Sequence, residues 1–240
     1  VGWSGGGALA VSYQAEAEDP AITHTPPGDP VNVKGAGLIP ADAVIYQAAH
    51  LSRAHLLAEA IDPSVKDELN PDDRDVELDL YDPRNPNQPP YAPEYIARYR
   101  AAQLARMRRI TAWAKKTLAE LKARNTGEME RPFIVHRTLA DPRFLDPALD
   151  PNDRKPRWCY MGNPETVNTG PVGLARFTTL RSWLSQWSLD DSTGNGLEGV
   201  KRIKAPLLVI ENSADDAVPT THPKLLFEAG AMQDKSCRVI

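Results

Sequence analysis

The alternation of apolar and polar positions divides the chain into three stretches of different character. In the first, Ala8, Leu9, Ala10, Val11, Tyr13 and Ala15 make a helix-compatible run. Asp19-Pro20 ends it, because the residue before a proline is pushed out of the α region. Prolines at 20, 26, 27, 30 and 40 and glycines at 28, 35 and 37 then leave too little periodicity for a regular element, so this stretch reads as a surface loop. Ala43 to Ala48 is a compact apolar run of the kind that forms a strand buried on both faces. Two similar runs, Pro206 to Ile210 and Cys237 to Ile240, enclose a helix-compatible segment over 222 to 230. Strand, helix, strand with right-handed connections predicts parallel strands.

Most of the chain lies between these runs. Pro93 to Arg124 predicts a long helix, with Leu104, Met107, Ile110, Ala114, Leu118 and Leu121 recurring three and four apart on one face. The same spacing of Leu174, Phe177, Leu180, Trp183, Leu184 and Trp187 predicts a second helix over Val172 to Leu189. Pro132 to His136 and Trp158 to Met161 read as short strands. No internal repeat is visible, and no stretch approaches the roughly 20 consecutive apolar residues of a membrane-spanning helix.

Composition sharpens this picture only a little. A chain of 240 residues can bury one sizeable core, and a formal charge of −4 argues for neither nucleic acid nor an acidic membrane surface. The long helix is rich in Arg and Lys but lacks an aromatic stacking platform, so a compensated, solvated face is expected there and no nucleic-acid partner. Cys159 and Cys237 are far apart and read as free thiols, making a reducing, cytoplasmic compartment the default. The chain opens on Val1 and reads as an internal stretch of a longer gene product, which leaves secretion open. His50 and His55 are five apart, not at the spacing of a metal-binding helix face; no metal and no cofactor are expected.

The candidate chemistry sits at the start. Gly2-Trp3-Ser4-Gly5-Gly6 matches G-x-S-x-G, in which a serine occupies a strained strand-to-helix turn and small neighbours let the backbone pass close by. A glycine-rich loop holding an anion at a helix N-terminus is the competing reading. Much later, Pro206 to Ile210 runs into Glu211-Asn212-Ser213-Ala214-Asp215-Asp216-Ala217-Val218-Pro219. Taken in order, the two motifs, the helix after the first and the strand-like runs resemble the α/β-hydrolase superfamily of capped, esterase- or lipase-like serine hydrolases.

That resemblance implies an α/β fold, the C-terminal part of a hydrolase sheet with flanking helices and a large, mostly helical cap insertion. Residues 1–50 and 203–240 would form the core segments and 51–202 the cap. It implies hydrolysis of a carboxylic ester or related small acyl compound through a Ser4 acyl-enzyme, with Asp215 as the triad acid and Asp216 as the alternative. The Gly5 N–H would supply one oxyanion donor; the other, on an earlier strand, and the histidine base are expected outside residues 1–240, so this stretch by itself is expected to be inactive. His222 is expected at an exposed helix start, and Trp3, His50, Trp183 and Trp187 are candidate pocket residues. A peptidase, lactonase or acyltransferase on the same scaffold, or a non-catalytic binding protein, are the alternatives. Physiological substrate and oligomeric state stay open.

Overall fold

The computed structural model describes all 240 residues, Val1 to Ile240. In chain order the strands are β1 (Gly2–Ser4), β2 (Val44–Ala49), β3 (Val65–Asp67), β4 (Asn70–Arg74), β5 (Pro132–Ile134), β6 (Phe177–Thr179), β7 (Leu207–Glu211) and β8 (Lys235–Val239). The helices are α1 (Gly7–Glu18), α2 (Arg53–Ala60), α3 (Pro93–Arg124), α4 (Pro164–Thr169), α5 (Leu180–Ser182), α6 (Gly196–Val200) and α7 (Thr221–Ala229). The chain divides into two compact units, one of Val1–Leu56, Asn152–Arg154 and Asp191–Ile240, the other of Leu57–Pro151 and Lys155–Asp190.

The first unit is an α/β layer. Its four strands are parallel in the order β1-β2-β7-β8, with Gly2 beside Tyr46, Val44 beside Leu207 and Leu207 beside Lys235. The apolar runs form the middle of this sheet because both faces of a parallel sheet are covered. Val44, Tyr46, Leu207 and Val209 pack with Val11 and Ala15 of α1 and Leu226 of α7 in one buried cluster. α1 ends where Asp19-Pro20 requires, and the loop to Pro40 contains an isolated bridge between His24 and Pro30 and one short 3₁₀ turn. That loop is tied down by Glu16, whose carboxylate accepts the N–H groups of Ala21 and Ile22 at 2.8 and 2.9 Å and pairs with Arg202 at 2.7 Å.

The second unit is built around α3. Pro93 starts the helix at a position where a missing N–H costs nothing, and Asn125 ends it in the left-handed region. Its apolar stripe, including Met107, Ile110, Ala114, Leu118 and Leu121, packs against Leu57, Ile61, Trp183 and Leu184. Several basic residues of the helix are paired: Arg98 with Glu77, Arg100 with Asp141, Arg106 and Arg109 with Glu68, and Arg108 with Asp190. Beneath them Arg137 joins the buried carboxylates of Asp62 and Asp79 at 2.6 and 2.7 Å.

Two expected elements differ here. The helix expected over Val172 to Leu189 is instead β6 followed by α5 and a π turn over Trp183–Trp187. The β-branched pair Thr178 and Thr179 extends to pair with β5, and the Thr179 hydroxyl then caps the turn by accepting from the Ser182 N–H. Trp158 to Met161, read as a strand, is a turn closed by a bridge between Cys159 and Gly162, the latter at φ +109°. Both cysteines are free thiols, and no helix is long and apolar enough to cross a membrane.

Candidate active site

Ser4 is the last residue of β1, three positions before α1 begins. Its φ is +51°, a left-handed conformation that is uncommon for any residue except glycine and costs on the order of 1–3 kcal/mol where it is enforced. Three contacts enforce it. The Gly6 N–H donates to the Trp3 carbonyl at 2.8 Å, closing the turn. A Cβ on Gly2 would lie 2.7 Å from the Gly7 Cα, and one on Gly7 would lie 2.3 Å from the Ala49 Cβ and 2.7 Å from the Tyr46 ring. Strand, turn and helix therefore approach to a distance that only glycine permits.

The neighbouring strand is irregular at the same level. Trp3 stands beside Gln47 but Ser4 beside Ala49, so Ala48 is an extra residue in β2, and it too is left-handed at φ +41°. A bulge of this kind re-aims the side chains around it. It leads into His50, which is buried and whose N–H donates to the Ser4 carbonyl at 3.4 Å. The buried Tyr46 hydroxyl donates to the His50 carbonyl, and burial alone pushes that phenol far above its ordinary pKa.

Three kinds of group follow the turn: a backbone donor, a guanidinium and a pair of imidazoles. Gly5 provides a backbone N–H at the head of α1, since the turn's own bond uses the Gly6 N–H. Arg53, the first residue of α2, brings its guanidinium close to Gly5: the Nε would lie 3.5 Å from a Cβ built there. His222 is only 1 % exposed, and its Nδ1 accepts from the Leu51 N–H at 3.3 Å. Its ring meets that of His50 edge to face at 6.3 Å. The exposed helix-start position expected for His222 is therefore corrected, because α7 packs its first turn inward and the ring satisfies a backbone donor that would otherwise be orphaned.

Asp215 lies in the turn after β7, on the same sheet as Ser4. One of its carboxylate oxygens accepts the N–H groups of Ala217 and Val218, each at 2.8 Å, and its carbonyl accepts from Asn152 at 2.9 Å. The neighbouring Asp216 carboxyl is raised, first by burial and then by the charge of Asp215. Of the two adjacent acids, Asp215 is thus the one held in a fixed, hydrogen-bonded geometry.

Of the expected pocket residues, Trp3 and His50 belong to the first unit and Trp183 and Trp187 to the second. Trp3 is 69 % exposed on β1, and His50 is buried beside Ser4. Trp183 has no exposed surface in the core of the second unit, where its indole N–H donates to the Thr111 hydroxyl at 2.9 Å, and Trp187 is packed against that core. Gly7, Arg53 and the inward turn of His222 are parts of the site that sequence reasoning missed. For Gly7 a signal existed in the third consecutive glycine after Ser4. For Arg53 there was none, because its approach to Gly5 depends on where β2 delivers α2.

Chemically, the turn presents a hydroxyl, a backbone donor at a helix head and a nearby guanidinium, and a hydrogen-bonded carboxylate follows β7 of the same sheet. No protein-family model, curated protein or solved structure matches the chain.

Proposed function

We propose that this chain carries the nucleophile and the acid of a serine hydrolase of the α/β-hydrolase type, acting on carboxylic esters or related acyl compounds. The observation that supports it most is the left-handed backbone of Ser4 between a strand of a parallel sheet and a helix. Strain at a residue bearing a nucleophilic hydroxyl is a feature that packing alone gives no reason to keep. The strand order adds support, since β1, β2, β7 and β8 are adjacent and parallel and the acid follows β7, in the order Ser before Asp that such hydrolases use.

In this reading the Ser4 hydroxyl attacks the acyl carbon while a histidine takes its proton, and Asp215 orients that histidine and stabilises its charged form. The Gly5 N–H faces the oxygen on which negative charge develops, where one well-aimed donor contributes roughly 3 kcal/mol. His222 is not assigned as the base, because its Nδ1 is already taken up by the Leu51 N–H.

The test is covalent labelling of the complete gene product with a fluorophosphonate, together with turnover of short p-nitrophenyl esters. Labelling is expected to vanish in Ser4→Ala and to persist in His222→Gln. Turnover is expected to fall by about 10³-fold or more in Asp215→Asn. Labelling that survives in Ser4→Ala would remove Ser4 as the nucleophile and leave the binding-protein alternative.

A further inference from the structure

The second unit contains a cavity of about 510 Å³ that has no part in the chemistry proposed for Ser4. Its size lies within the usual range of small-molecule sites. One wall is α3, through Ile110 and Trp113; another is β5 and the residue after it, through Phe133, Ile134 and Val135. The β3–β4 hairpin closes the third side, with Leu69 at its tip.

Three of these apolar side chains are unusually open for their size. Leu69 is 94 % exposed, Ile134 50 % and Trp113 41 %. Scattered singly they would need no explanation, but here they converge on one concavity. The aromatic wall is ordered: the Trp113 and Phe133 rings meet edge to face at 4.9 Å, and Phe133 rests in turn on the buried Trp183 at 6.0 Å.

The charges around the cavity cancel locally. Lys66 pairs with Asp73, Glu68 holds both Arg106 and Arg109, and Asp67 accepts the Leu69 N–H at 2.9 Å. Lys66, Arg106 and Arg109 balance Asp67, Glu68 and Asp73 in number, which leaves the rim without a net charge to select an ion of either sign. The remaining polar group is His136. Burial and the nearby charges of Arg176 and Arg106 hold its imidazole below the ordinary histidine value, against the opposing pull of Glu68, which favours the neutral ring with one donor and one acceptor.

We infer that this cavity binds a small uncharged aromatic molecule, whose rings lie against Trp113 and Phe133 and whose polar group meets His136. The inference does not depend on Ser4 being a nucleophile.

The probe is N-phenyl-1-naphthylamine, an uncharged aromatic amine whose emission rises in apolar surroundings. Titrated into the folded protein, it is expected to bind saturably at one site, with energy transfer from tryptophan and a raised Tm. Ile134→Lys and Leu69→Ser both alter exposed side chains and are expected to keep the cooperative melt. They should weaken binding by at least tenfold and about threefold respectively. The anionic 1-anilinonaphthalene-8-sulfonate is expected to bind at least tenfold more weakly. Absence of saturable binding, equal affinity in both variants, or preference for the sulfonate would overturn the assignment. So would displacement of the probe by self-association at higher protein concentration, which would make a second copy of the chain the occupant.

Discussion

At Ser4 strain and chemistry are carried by one residue, and they can be separated by substitution. Ser4→Gly removes the hydroxyl but suits φ +51°, so it is expected to leave thermal stability unchanged or raise it by up to about 1 kcal/mol while abolishing fluorophosphonate labelling. Gly7→Ala is expected to do the reverse damage. Its Cβ would meet Ala49 and Tyr46 at distances no real contact shows, and the cost expected by denaturant titration is at least about 2 kcal/mol. Of the candidate site, Ser4, Gly5 and Asp215 were legible in sequence because each belongs to a local motif whose geometry is set within a few residues. Trp183 was not. Its helical spacing fits a pocket wall as well as a core, and only the Thr111 hydroxyl and the α3 face decide for the core.

At the scale of elements, α3 matched its pattern to the residue because one apolar stripe runs its whole length between a starting proline and a left-handed asparagine. The helix expected over Val172 to Leu189 failed where a non-local partner intervened. Phe177 to Thr179 can pair with Pro132 to Ile134, and that ladder outweighed local periodicity. Trp183→Ala is expected to cost about 3–5 kcal/mol by denaturant titration, since it empties the centre of the second unit's core and removes the indole donor to the Thr111 hydroxyl, which keeps its bond to Ser188. The buried Arg137 follows different physics. Arg137→Met leaves the Asp62 and Asp79 carboxylates close together without their shared cation, and a loss of about 3–5 kcal/mol is expected from the same measurement.

Across the whole molecule, charge sets the response to acid. Burial pushes the Glu16 carboxyl up, but the N–H groups of Ile22 and Ala21 and the charge of Arg202 outweigh it and hold the group below its ordinary value. A carboxyl lowered in this way contributes stability above the unfolded-chain pKa and loses it as pH falls through the folded value. Tm is therefore expected to decline on acidification below about pH 4.5, and Glu16→Gln should show a lower Tm at neutral pH with a shallower acid decline. A decline of equal steepness in the variant would show that other carboxylates dominate.

The sequence by itself determined the parallel strands, the helix after Ser4, the long helix α3 and the Ser4 and Asp215 motifs, because each is written in spacing over a few residues or in a proline or glycine that restricts its own backbone. Tertiary structure alone decided the bulge at Ala48 beside Ser4, the approach of Arg53 to Gly5, the inward turn of His222, the pairing of β5 with β6 and the apolar cavity against α3. Each of these depends on contacts between segments far apart in the chain, whose relative positions are set by packing and carry no local signature.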